Sequence, residues 1–120
     1  MGKFVVKETG TGTKFDLLCD KGNVLLTSEV YTSENACLNG VESVKKSCAG
    51  GVEDQTMDVY KTLTHPKFEV YADQGGKFRF RLKAVNGQIV ASSKPFAEKA
   101  ECLGFIEAIK KTAPDAPVEK

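Results

Sequence analysis

Four basic side chains at alternate positions, Lys77, Arg79, Arg81 and Lys83, form the sharpest chemical pattern in the chain. On an extended strand every second side chain leaves the same face, so this spacing makes a cationic stripe. A cationic stripe on a flat sheet can follow a phosphate backbone. The interleaved residues Phe78, Phe80 and Leu82 fall in the opposite phase. If the cations face water the rings face inward, which weakens single-strand binding by base stacking. A second basic feature is the pair of dipeptides Lys45-Lys46 and Lys110-Lys111. Lys110 and Lys111 would assist the stripe if they shared its surface.

The other reactive side chains lack the company that catalysis requires. Cys19, Cys37, Cys48 and Cys102 contain no C-x-x-C spacing, and the last three fall on apolar helical stripes. Reduced, buried thiols that act as small hydrophobes are therefore expected in place of bridges, nucleophiles or zinc ligands. The single histidine, His65, stands beside Pro66 and reads as a solvated turn residue. Glu42 and Glu107 occupy matching mid-helix positions with no histidine or metal ligand beside them. Each precedes a lysine, Lys46 or Lys111, by one helical turn, which is the spacing of an i,i+4 ion pair. Thr9-Gly10-Thr11-Gly12-Thr13-Lys14 lacks the Gly-Lys-Ser/Thr ending of a phosphate loop and runs into a strand, so it reads as a hairpin turn. No catalytic residue, metal site or cofactor site is assigned, and the chain reads as non-enzymatic.

The elements that position these residues are written twice. Lys3-Phe4-Val5-Val6 returns as Lys67-Phe68-Glu69-Val70, and after one extra turn residue Phe15 matches Phe80, Leu17 matches Leu82 and Gly22 matches Gly87. The correspondence continues through Tyr31 and Phe96, Cys37 and Cys102, Val41 and Ile106, and Val44 and Ile109. Within each copy the apolar period changes from two to three-to-four, as it does when strands give way to a helix. Asn86-Gly87 and Lys21-Gly22-Asn23 supply hairpin turns. Ser33 opens the first helix, and Gly50-Gly51 and Pro114 stop the two helices. Short segments Val52-Glu53 and Val118-Glu119 follow as closing strands. The apolar connection Thr56 to Pro66 reads as an extension of the first of these.

One copy of about 55 residues buries too little surface to stand alone comfortably. The expectation is therefore one domain, residues 1–120, built of tandem copies at about 1–60 and 65–120. Its class is α+β: two-layer, with tandem β-β-β-α-β units sharing one antiparallel sheet and both helices on one face.

Residues Gly76 to Ala84 with Asn86-Gly87, then Ile89 to Ser93, Ile106 to Lys111 and Ala113 to Ala116, resemble the YegP-like family of small bacterial proteins. The resemblance covers both copies. It departs in the first, where Lys14-Phe15-Asp16-Leu17-Leu18-Cys19 stands in place of the basic aromatic strand. The resemblance implies paired units that share a sheet and exchange their C-terminal strands. It brings no functional residues with it.

Charge is divided unequally. Residues 1–56 hold six lysines against eight acids, and residues 57–120 hold eleven basic residues against eight acids, within a net charge of +1. A pI near 7.6 lies well below that of dedicated nucleic-acid binders. No apolar run reaches membrane-spanning length, and Met1-Gly2-Lys3-Phe4-Val5 passes straight into a strand without a secretory core. The expectation is a cytoplasmic monomer with pseudo-two-fold symmetry that serves as a protein-interaction module. The alternative is weak nucleic-acid binding through Lys77, Arg79, Arg81 and Lys83.

Overall fold

The computed structural model describes residues 2–120, so Met1 lies outside the described residues. The elements follow the order β1 (Lys3–Glu8), β2 (Thr13–Leu18), β3 (Val24–Ser28), α1 (Glu34–Ser47) and β4 (Gly51–Asp54). The second copy repeats them as β5 (Lys67–Ala72), β6 (Phe78–Lys83), β7 (Ile89–Ser92), α2 (Lys99–Thr112) and β8 (Val118–Glu119), with a 3-10 turn at Ala113–Asp115 before β8. All eight strands form one sheet, ordered β4-β5-β6-β7-β3-β2-β1-β8. Strands β3 and β7 meet antiparallel at its centre, so the pseudo-two-fold axis passes between them. The closing strands are exchanged: β4 of the first copy lies on β5 of the second, and β8 of the second lies on β1 of the first.

Local sequence explains each element. Gly22 and Gly87 take φ of 86° and 82° in the two hairpin turns, a conformation that costs glycine nothing. The Ser33 side chain accepts the Ala36 N–H and caps α1. Cys37, Val41 and Val44 of α1 and Cys102, Ile106 and Ile109 of α2 are buried over the same sheet face, in one core with Phe4, Phe15, Phe68 and Phe80. The duplication reaches side-chain detail. Ser28 Oγ accepts the Phe15 N–H at 2.9 Å, and Ser93 Oγ accepts the Phe80 N–H at the same distance. Lys45 and Lys110 each stand 5.8 Å from a ring centroid, over Phe4 and Phe68.

Two expectations are corrected. The sheet is not wholly antiparallel, because β4–β5 and β1–β8 are parallel pairs. Each closing strand follows a helix that has already carried the chain back across the sheet, so it enters alongside the other copy's first strand in the same direction. For the same reason Thr56 to Pro66 is no strand extension. The chain must return the length of β4 before β5 can start in parallel, and this irregular crossover makes that return.

Candidate functional site: a basic strand answered by carboxylates

The β5–β6 hairpin positions the basic stripe. Its register sets Glu69 opposite Arg81 and Lys67 opposite Lys83, on the sheet face turned away from the helices that receive Phe68 and Phe80. Cross-strand neighbours on one face touch. Arg81 Nε accordingly stands 2.6 Å from Glu69 Oε1, and Lys83 Nζ stands 3.4 Å from the same oxygen. Arg79 Nε reaches Asp73 Oδ2 at 2.8 Å in the turn between the strands. The Arg81 guanidinium also lies over the Tyr71 ring, 4.6 Å from its centroid.

Behind the stripe the charges continue inward. Lys67 Nζ lies 2.7 Å from Glu53 Oε1 on β4 and 3.2 Å from Glu69 Oε2, with Glu53, Lys67 and Glu69 all at most 4% exposed. The crossover completes the shell, since Leu63 donates its N–H to Glu53 Oε1 and Gln55 donates its amide to Glu53 Oε2. Burial alone would push the Glu53 carboxyl up. Hydrogen bonds from Lys67, Gln55 and the Leu63 N–H outweigh it and hold the group down at about 2. Glu69 is likewise lowered, by Arg81 and Lys67 acting against its burial. The hydrogen bond to Glu53 raises Lys67.

Those shifts define what the cluster can do chemically. Carboxylates held ionised are poor general acids, and an ammonium held protonated is a poor nucleophile. A phosphate approaching Arg79, Arg81 or Lys83 would have to displace Asp73 or Glu69. What the network does is fasten β4 of the first copy to β5 and β6 of the second through opposite charges.

The six sequence-selected cations do not form one surface. Arg79, Arg81 and Lys83 come together on β6, whereas Lys77 is exposed in the turn before that strand. Lys110 lies on the helix side, donating to the Gly50 carbonyl at 2.7 Å over the Phe68 ring, and Lys111 stands on the same last turn of α2. The sheet separates these two from the stripe, because Phe68 and Phe80 turn toward the helices and Glu69 and Arg81 turn away. Among the described residues neither expected i,i+4 pair forms: Glu42 meets Lys45 at 4.0 Å in place of Lys46, and Glu107 enters no ion pair.

The thiols sit as their apolar stripes require. Cys37, Cys48 and Cys102 are buried and Cys19 is half-buried. Burial, with the Asp54 charge adding to it, pushes Cys102 up to about 11. Among the described residues no group of three histidine, cysteine, aspartate or glutamate side chains could hold a metal ion. His65 is exposed, its ring beside the Gly87 turn. Sequence reading missed the carboxylate partners of the stripe. Counting outward from the Asp73–Gly76 turn would have set Glu69 against Arg81 and revealed them.

The family whose sequence profile matches is described as "Domain of unknown function (DUF1508)", and it matches residues 12–53 and 73–119, once per copy. A UPF0339 protein of Pseudomonas aeruginosa is 33% identical over 115 residues, covering 95% of this chain and 92% of the relative. A UPF0339 protein of Treponema denticola is 54% identical over 52 residues, which is 43% of this chain but 90% of that relative, so it spans about one copy. Among solved structures, the protein of unknown function yegP from E. coli superposes with a TM-score of 0.80 at 28% identity, covering 98% of this chain and 90% of that one. The UPF0339 protein SO3888 from Shewanella oneidensis shares the fold, with a TM-score of 0.81 at 24% identity over 98% of this chain and 89% of that chain. With two matched segments, one sheet and one core, the chain belongs to the DUF1508 family in its tandem form.

Proposed function

We propose that this protein is a non-enzymatic, monomeric protein-interaction module of the cytoplasm that engages its partner through the crossover between the two copies. The observation that carries the reading is the exposure of Met57, Val59 and Tyr60, at 56%, 86% and 44%, within four residues of one segment. Single exposed apolar side chains are ordinary, but three on one anchored segment form a contact feature. The anchoring is specific: Thr56 N–H bonds Asp54 and Leu63 N–H bonds Glu53, so the segment is held at both ends of its apolar stretch. The sheet edges support a monomer. Edge β8 is only two residues long, and edge β4 carries the Leu63 side chain against Gly51.

Nucleic-acid binding is the weaker reading, because three of its four strand-associated cations already face carboxylates. The test is photo-crosslinking from position 59 in cells, compared with a Met57→Ser/Tyr60→Ser version of the same protein. One crosslinked protein, present with the first and lost with the second, is the expected result. A crosslinking pattern that does not change between them overturns the proposal. Anisotropy of labelled RNA and DNA should in parallel show no salt-sensitive binding that Arg79→Glu/Arg81→Glu removes.

A further inference from the structure

The two copies differ where α1 meets the β6–β7 hairpin. There a cavity of about 340 Å³ opens between the copies, lined by Glu29, Tyr31, Asn39, Gly40 and Ser43 on one side and by Gln88, Ile89 and Val90 on the other. That volume is within the range of small-molecule sites. The corresponding place in the second copy is plugged. Phe105 stands at the position of Gly40 and packs edge-on against Phe96 with centroids 4.7 Å apart, and Lys94, the counterpart of Glu29, covers both rings.

Four exchanges at this place open it and change its character. Phenylalanine becomes glycine (Phe105 to Gly40), a ring gains a hydroxyl (Phe96 to Tyr31), alanine becomes serine (Ala108 to Ser43), and a cation becomes an anion (Lys94 to Glu29). Glycine in mid-helix is poorly placed for helix stability. Here it is required, since a methyl group on Gly40 would collide with the Tyr31 hydroxyl. Among the described residues, the Tyr31 hydroxyl and the side chains of Glu29, Asn39, Ser43 and Gln88 enter no hydrogen bond or ion pair, and Glu29, Asn39 and Gln88 are exposed at the mouth, so these groups are open to a ligand. Burial, with Cys37 and Glu29 adding to it, raises the Tyr31 phenol and keeps it a donor.

We infer that this cleft binds a small primary amine, its ammonium on the Glu29 carboxylate and its carbon body between the Tyr31 ring and Ile89. Among the described residues Glu29 is the one charged side chain on the lining, so an anion is rejected and a cation is drawn in. The site exists only when the two copies close on each other, and it does not involve the Met57–Tyr60 segment.

The test is an NMR titration of the labelled full chain with phenethylamine, using 3-phenylpropionate as the anionic control. Expected are shifts confined to residues 29–43 and 84–90 with the amine alone, and affinity weakened about tenfold or more by Glu29→Gln. Tyr31→Phe/Gly40→Phe, which imports the second copy's plug, should abolish the response while keeping a folded spectrum. Should that variant fail to fold, Glu29→Lys decides, because it leaves the cavity open and reverses its charge. No response to the amine, an equal response to the acid, or undiminished amine binding in Glu29→Lys overturns the inference.

Discussion

At the scale of single residues, the buried charges are the most consequential feature. Glu53 and Lys67 lie 2.7 Å apart with almost no exposure, and removing Glu53 leaves the buried Lys67 ammonium with Glu69 as its remaining counter-charge and the Leu63 N–H without its acceptor. Glu53→Ala is expected to cost about 3 kcal/mol of stability, read from urea unfolding. The pH dependence has a definite sign. A carboxyl held at about 2 in the fold, against an ordinary 4.5, stabilises fully above about pH 5 and loses that contribution as pH falls from about 4.5 toward 2. Glu53→Gln should therefore flatten the acid limb of the stability profile, and an unchanged slope between pH 5 and 2 would contradict the geometry. The thiols give a second residue-scale expectation. With Cys37, Cys48 and Cys102 buried and all three pushed upward by that burial, only the half-buried Cys19 should react with a thiol reagent in the native state. Four equally fast thiols in native buffer would show that the core opens readily.

Between elements, the exchanged strands are held by two ion pairs of reversed polarity. Glu34 at the start of α1 meets Lys120 at 2.9 Å, and Lys99 at the start of α2 meets Asp54 at 2.8 Å. The positions are equivalent in the two copies, but the charges are swapped. Pairing each closing strand with the other copy brings opposite charges together, whereas pairing it with its own copy would set Asp54 on Glu34 and Lys120 on Lys99. The arrangement thus discriminates against the wrong closure. A double-mutant cycle on Asp54→Lys and Lys99→Asp should give a favourable coupling of about 0.5–1 kcal/mol in urea midpoints. Zero coupling would reduce the pair to an incidental surface contact. How much of this was legible depended on the kind of pairing. Hairpins announce themselves, so alternation in Phe78–Lys83 and the glycine turns marked the β2–β3 and β6–β7 hairpins. Parallel pairing leaves no turn signal, so the direction of β4 and β8 had to come from the structure. Thr56 to Pro66 misled because Met57, Val59 and Tyr60 are apolar like a strand, yet they are spent on the surface. For the site, the stripe was visible but its neutralisation was not, since partners such as Glu69 belong to a neighbouring strand whose register the stripe itself does not state.

For the molecule as a whole, the exchange of β4 and β8 means that neither copy is complete. Cut at the crossover, residues 1–61 would lack the closing strand that covers β1, and residues 62–120 would lack the one that covers β5. Each fragment is near 60 residues, a size at which only about 60% of the chain's surface is buried on folding, and the shared core of Val41, Val44, Ile106 and Ile109 would be split open. The fragments should therefore remain together after the covalent link is lost. A protease site inserted after the exposed Lys61 tests this, because an insertion in an irregular surface crossover costs little loop entropy. After cleavage the two pieces are expected to elute as one species of the intact size, to separate only in denaturant, and to refold at a rate that depends on concentration where the uncut chain's does not. Fragment 1–61 purified alone should show no cooperative unfolding. If the cleaved pieces part in native buffer, the exchanged strands contribute too little to join the halves, and each copy must then close on itself.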